Sequence, residues 1–159
     1  MVGDEQVLGQ LRIAVDAIVL HEGRLLLLTY YDAHIGLHLG LPGGGVETDE
    51  TIHAAVRREV YEETGVQVDV GALLMVTEHV SADDPNHGGS EHEVRLLFRC
   101  TPCNGVEPVR PAQPDPDQTG VCWLALEEVT QAAFAPHNGA LLLELLARPS
   151  VYDCFHTQI

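Results

Sequence analysis

Hydrophobic and polar positions change period several times along the chain, and each change marks an element. Residues 11–20 alternate apolar with mixed positions, His21-Glu22-Gly23 interrupts, and Arg24-Leu25-Leu26-Leu27-Leu28-Thr29-Tyr30 resumes the apolar run. That pattern predicts two strands joined by a tight turn. A mixed stretch at 32–40 leads to Leu41-Pro42-Gly43-Gly44-Gly45, where a proline and three glycines are expected to stop any regular element from passing through unbroken. From 49 to 64 the residues suit a helix. Thr48 or Asp49 is available as its cap, Glu50 falls in the first turn, and Gly65 suits the left-handed position just past the end. Strand-like alternation returns at 67–80 with Gly71 as a candidate bulge, and 81–91 reads as a polar loop carrying Pro85 and Gly88-Gly89. Residues 92–100 form a further strand with Val94, Leu96 and Phe98 on one face. The prolines at 102, 108, 111, 114 and 116 mark a surface loop over 102–119. A last strand is expected at 121–126. The segment 138–148, with five leucines, is a helix too apolar for solvent and should pack on the sheet.

These elements predict an α/β class with a mixed sheet between helices. Only about 40 residues follow the proline loop, below the size at which a domain usually stands alone, so 1–159 is read as a single domain. The 159 residues are 45% hydrophobic, enough for a proper core. Eight Lys and Arg against 24 Asp and Glu give a net charge of −16, which argues against non-specific nucleic-acid binding and against anionic lipid. No apolar run approaches the roughly 20 residues of a membrane span. Asp4 and Glu5 stand where a targeting signal would be basic, so a cytoplasmic location is expected, with the four cysteines as reduced thiols.

The candidate chemistry lies in the helix after the glycines. On a wheel of about 100° per residue centred on Ile52, Ala55, Val56 and Val60 define a buried stripe, with Glu59 at about −20°, Glu63 at about +20° and Glu62 at about −80°. Two carboxylates therefore point into the helix's own apolar face and a third lies at its edge. All three crowd the negative end of the helix dipole, where an acid is disfavoured by ~0.3–1 kcal/mol, and repulsion at the i, i+3 and i, i+4 spacings adds to that. Either some carboxyls are protonated or a cation sits among them. Arg58 offers one positive charge for three negatives, and a divalent ion supplies the rest. Oxygen ligands select Mg²⁺, Mn²⁺ or Ca²⁺ over zinc. The plainer reading of Glu59, Glu62 and Glu63 is a solvated acidic face; the glycine loop, the wheel and the dipole argue together against it.

Gly44, Glu50 and the run Arg58-Glu59-Val60-Tyr61-Glu62-Glu63-Thr64-Gly65-Val66 resemble the complete signature of the Nudix hydrolases, with every defining position of its 23 residues filled. Leu41-Pro42-Gly43 and Glu47 are also typical of that family. The resemblance implies a Nudix-type α/β/α sandwich and Mg²⁺-dependent hydrolysis, with Mn²⁺ able to substitute, of a nucleoside diphosphate linked to a further group X. It implies Glu59, Glu62 and Glu63 as metal ligands, a backbone carbonyl at or beside Gly44 as another, and Arg58 and Glu50 as the residues that orient the cluster. Glu59 and Glu63 are both candidates for the base. The partner is then a small nucleotide, no substrate-binding residue is assigned, and assembly as a homodimer stays open. The alternative function is a Nudix-fold module that senses a nucleotide without cleaving it; such modules commonly lose box glutamates or the arginine, and here all are present.

Other residues carry weaker signals. Asp115 or Asp117 is a candidate acid outside the box, against the plainer reading that both only solubilise a loop, and Glu91 and Glu93 share that ambiguity. Pro85 is either a substrate marker displaced or an ordinary turn residue. Cys100-Thr101-Pro102-Cys103 has CxxC spacing but is only half a zinc site, so edge or buried thiols are expected. His87 and His92 are read as solvent-facing. Trp123 and Tyr30 are core or cleft-wall aromatics, either of which could stack on a base.

Overall fold

Glu22 and Gly23 both take positive φ, 47° and 72°, the geometry of a two-residue hairpin turn whose twist matches its strands. The turn joins β1 (Leu11–His21) to β2 (Arg24–Asp32) as an antiparallel pair. The computed structural model describes residues 11–80, 92–103, 107–111, 114–115, 117–135 and 137–148. Beyond the two residue pairs next to the turn, β1 and β2 part. β1 takes β4 (Gly43–Gly45) as an antiparallel neighbour and β6 (His92–Pro102) as a parallel one. β2 takes β3 (Gly36–Gly40) on one side and β7 (Gln118–Ala125) on the other. With β5 (Val68–Val80) at the far edge, this is one mixed sheet of seven strands.

Strand alternation decides how the helices attach. Successive residues of β1 point to opposite faces. Val15, Ala17 and Val19 pack with Ala55, Val56 and Val60 of α1 (Ile52–Thr64), while Ile18 packs with Leu142 and Leu145 of α2 (Gly139–Ala147). Leu25 to Leu28 are wholly buried because both faces of β2 are covered, which is why that run is continuous rather than alternating. Val94, Leu96 and Phe98 share the α1 side, as their spacing predicts. The fold is thus the expected α/β/α sandwich with a mixed sheet. No helix among the described residues is long and apolar enough to cross a membrane.

The structure departs from the sequence reading at several elements; the strand expected from 121, for one, begins at Gln118, within the stretch read as a proline loop. No element runs through Pro42, as expected, and β3 ends at Gly40; the glycines themselves, however, form a short strand, 43–45, on β1, because residues without side chains can lie that close to it. A Cβ on Gly43 would strike the Val15 carbonyl and Asp16. Within the mixed stretch, 36–40 is an edge strand. Helix α1 starts at Ile52 rather than 49, since Asp49 has φ 70° and turns the chain, and Thr51 is the cap. Glu50 consequently precedes the helix, where its Oε1 accepts a hydrogen bond from the Glu47 amide at 2.8 Å. A 3₁₀ turn at Leu126–Gln131, not foreseen, carries the chain from β7 toward α2. Register shifts on either side of Leu73 agree with a bulge near Gly71, and the loop expected at 81–91 lies outside the described residues.

The Thr51 hydroxyl accepts from the Ala54 amide at 3.1 Å. Thr51→Ala should lower the unfolding free energy by about 1 kcal/mol, a fall in Tm of about 2–4 °C, read by thermal unfolding. An unchanged Tm would refute the cap.

Candidate active site

One side chain organises the acidic end of α1. Arg58 uses all five of its N–H donors. Its Nε and Nη2 form a bidentate pair with Glu50, at 3.1 and 2.7 Å. Its Nη1 reaches Glu59 Oε1 at 2.8 Å and Glu62 Oε2 at 3.2 Å, and Nη2 also reaches the Gly45 carbonyl at 2.9 Å. The hydrogen bond to Glu50 is the largest cause that raises the guanidinium's affinity for its proton, and the same bond holds the Glu50 carboxyl below its ordinary range. Glu50 thereby fixes the arginine, and the arginine fixes two of the three glutamates.

Helical spacing and packing give the three glutamates different surroundings. The Glu59 side chain is only 13% exposed, whereas that of Glu62, at the stripe's edge, is 57% exposed. Burial raises the Glu59 carboxyl, and Arg58 offsets this only in part. Glu63 turns toward β4, where its Oε2 accepts from the Gly43 amide at 2.8 Å. Burial pushes it up to about 8, against that hydrogen bond and with the charges of Glu59, Asp115 and Asp16 adding to the rise. Gly44 lies on the Glu59 carboxylate so closely that a Cβ there would come within 2.5 Å of Oε1. The backbone at 44 and the carboxylate at 59 thus meet with no side chain between them.

A cleft of about 300 Å³ is lined by Gly43, Gly44, Gly45, Glu59, Glu62, Glu63, Asp115 and Gln118, with Arg12 and Pro111 at its sides. It gathers every residue foreseen for the metal, while Arg58 and Glu50 brace it from behind. Asp115 is brought in from the proline-rich loop. Asp117 instead lines a neighbouring cavity, and its carbonyl accepts from the Tyr31 amide. Arg12 and Gln118 were not singled out in the sequence; an arginine opening a strand and a glutamine in a loop carry no spacing signal. Among the described residues no three acidic, histidine or cysteine side chains already form a cage: Arg58 holds Glu59 and Glu62, and Gly43 holds Glu63. Hard oxygen donors, a mutually repelling desolvated pair and a side-chain-free backbone edge nevertheless suit a divalent cation.

A second cavity, of about 390 Å³, shares Gly43 with the cleft. It lies past the point where β1 and β2 part, lined by Asp16 of β1 and Tyr30 of β2. Asp16 is almost wholly buried; its carboxylate accepts from Arg95 at 2.5 Å and lies 3.0 Å from His137 Nε2. Tyr30 stacks on His38 with ring centroids 5.6 Å apart. Trp123 lies at the other end of the sheet, against His21 and Arg24. Glu93 pairs with Arg95 and Arg12, and His92 with Glu78. Cys100 is buried in the core, where burial pushes its thiol up to about 12, and Cys103 is exposed. His87, Glu91 and Pro85 lie outside the described residues.

A mixed sheet between helices, with the carboxylates of one helix gathered against a glycine strand, is the arrangement of the Nudix class. The chain belongs to the NUDIX family, whose domain model matches residues 10–145. It is 36% identical over 120 residues to a MutT-like protein of Streptomyces ambofaciens, covering 75% of this chain and 67% of that protein. It is 37% identical over 75 residues to an ADP-ribose pyrophosphatase of Methanocaldococcus jannaschii, covering 47% of this chain and 44% of that one. The chain thus spans between about half and two thirds of the length of these curated relatives. A crystal structure of a MutT NUDIX hydrolase from Burkholderia pseudomallei superposes with a TM-score of 0.61 at 31% identity, covering 90% of this chain and 99% of that one.

The raised Glu63 carboxyl gives a stability test for metal-free protein. Its folded pKa, about 8, lies above an unfolded value of about 4.3. The folded state therefore binds the extra proton, and this stabilising contribution is complete below the unfolded pKa and lost as pH rises through about 8. In the presence of a chelator, the Tm of the wild type should decline from pH 5 to 8.5 more steeply than that of Glu63→Gln. Parallel profiles would refute the assignment.

Proposed function

We propose that the chain hydrolyses the pyrophosphate bond of a nucleoside diphosphate linked to another moiety, using Mg²⁺ with Mn²⁺ as a substitute, on small nucleotides in the cytoplasm. The observation that carries this reading is the cleft itself. Glu59, Glu62, Glu63 and Asp115 converge where Gly43 and Gly44 leave bare backbone, and among the described residues Arg58 pairs with Glu59 and Glu62 but not with Glu63. Glu59, Glu62 and Glu63, with the carbonyl of Gly44, would hold the ion. Bound there, Mg²⁺ supplies charge neutralisation for the pyrophosphate oxygens.

The chain's own residues do the rest. Arg58 keeps Glu59 Oε1 and Glu62 Oε2 in place, with Glu50 holding the arginine's far side, so the cluster is preorganised rather than assembled on binding. Glu59 Oε2, the oxygen Arg58 does not bond, takes the proton of the attacking water. The adjoining cavity, with its Tyr30–His38 stack and the buried Asp16, receives the nucleoside or the group X, a size suited to a planar ring system. Arg12, 61% exposed in its side chain and lining the cleft, is placed to meet a phosphate. The names of the relatives, an ADP-ribose pyrophosphatase among them, support a pyrophosphate substrate without naming this one.

The test is release of phosphate or nucleoside monophosphate from a panel of nucleotides, with Mg²⁺ present or chelated. Wild type should turn over at least one member only with metal. Glu59→Gln and Glu62→Gln should each lower kcat by about 10²-fold or more with the fold intact by circular dichroism. Tight binding without turnover by wild type would instead make the chain a nucleotide sensor, and full turnover by both variants would sink the metal assignment.

A further inference from the structure

We infer that Arg12 selects for charge in the group X: its guanidinium binds an anionic X, a phosphate or a carboxylate-bearing sugar, on the side of the carboxylates away from the nucleoside cavity. The inference rests on the hydrolase reading above and adds to it a substrate class and a specificity-determining residue outside the signature.

Three observations converge on this side chain. The first is where the guanidinium lies. A Cβ built on Gly45 would stand 3.2 Å from Arg12 Nη2, 3.4 Å from Nε and 3.7 Å from Cζ. The charged end itself, and not the stem, therefore covers the bare face of that glycine. Gly45 and Arg12 both line the carboxylate cleft, and among the described residues Arg12 is the only arginine or lysine that does.

The second observation is how loosely it is held. Arg12 faces Glu93 across the β1 and β6 ladder, with its Nε 3.6 Å from Glu93 Oε2, an ion pair too long for a hydrogen bond. The other oxygen of Glu93 accepts from Arg95 Nε at 2.9 Å, so two arginines share one carboxylate. Arg58 spends all five donors inside the fold, and Arg95 is held by Asp16 as well as Glu93. Arg12, with its side chain 61% exposed, is anchored by Glu93 and keeps its donors for a ligand.

The third is the order of groups along β4. Gly43 lies against Asp16 and is shared with the cavity of the Tyr30–His38 stack, Gly44 lies on the Glu59 carboxylate, and Gly45 lies under Arg12. From the first to the last of three strand residues is about 7 Å, room for a diphosphate. A base stacked in the cavity thus lays its diphosphate over the carboxylates and carries X toward Arg12. The ion held by the glutamates offsets the charge of the diphosphate. A further negative charge beyond it meets Glu62 and Asp115, and Arg12 is the cation that offsets them. An uncharged sugar gains little from the guanidinium.

The experiment compares wild type with Arg12→Gln, which removes the charge, and Arg12→Lys, which restores it. The substrates are the nucleoside triphosphate, the nucleoside diphosphate glucuronate and the nucleoside diphosphate glucose of whichever base the wild type accepts, at fixed free Mg²⁺; for a compound that is not turned over, the inhibition constant is read instead. We expect the wild type to favour at least one of the two anionic compounds over the glucose compound. Arg12→Gln should weaken that preferred compound about tenfold, through KM rather than kcat, and change the glucose compound less than about twofold. Arg12→Lys should recover most of the loss, and the Tm of both variants should stay at the wild-type value. A wild-type preference for glucose, or no loss in Arg12→Gln, would overturn the inference. Equal loss on all three compounds would place Arg12 on the shared diphosphate and overturn it too, as would failure of both variants to fold. Each of these leaves the hydrolase reading standing, whereas a wild type inactive on the whole nucleotide panel removes both.

Discussion

The guanidinium of Arg58 is the interaction on which the rest of this site depends. Glu59, Glu62 and Glu63 repel one another, sit at the unfavourable end of a helix dipole, and are partly removed from water. Together these effects raise the carboxyls of the two buried ones, Glu59 and Glu63, burial being the largest cause. A lysine could not take the arginine's place, because it has three donors around a point rather than five in a planar fork. Two donors grip Glu50 as a rigid base, and the remaining three tie Glu59, Glu62 and the Gly45 carbonyl to it. The helix, the glycine strand and the segment leading into the helix are thereby joined at one point. Glu63, the glutamate Arg58 does not reach, is the one whose carboxyl is pushed up furthest.

That arrangement requires the helix to lie at one height over the sheet, and the two-sided core sets the height. Ala55, Val56 and Val60 interlock with Val15, Ala17 and Val19 on one face, and α2 with its leucines closes the other. Gly43 and Gly44 then matter for what they lack. A side chain at 43 would collide with β1, and one at 44 would displace the Glu59 carboxylate. The strand and the site thus depend on the same pair of residues, so the signature that looks like a catalytic motif is equally a packing motif.

The chain's scarce cations are largely committed inside the fold. Arg95 pairs with Asp16 and Glu93, Arg99 donates to the carbonyls of Leu145 and Leu146 at the end of α2, and Arg110 donates to the Gln118 carbonyl. They do not gather into a basic patch at the cleft. With a formal charge of −16, attraction of an anionic substrate would, on the proposed reading, fall chiefly to an ion held by the glutamates. This is a physical reason for such a protein to handle small nucleotides rather than polyanions.

The sequence alone determined those features that depend on local spacing. The carboxylates at 59 and 63 recur on the face of Val56 and Val60 because a helix has 3.6 residues per turn, and Gly65 ends that helix because it alone accepts the left-handed backbone there, φ 71°. Strand periodicity likewise disclosed β1, β2, β5, β6 and β7, and the mixed sheet between helices followed from the order of those elements. Tertiary structure decided the features in which distant segments meet. The glycine run became a strand only because β1 lies beside it. Asp115 entered the cleft and Asp117 did not, a choice made by the course of a loop and not by either residue's chemistry. The burial of Asp16 between Arg95 and His137 joins β1, β6 and the approach to α2 across 79 and 121 positions. Gln118 faces Tyr30 through a one-residue bulge between β7 and β2. Such contacts rest on the register and packing of whole elements, and no local period records them.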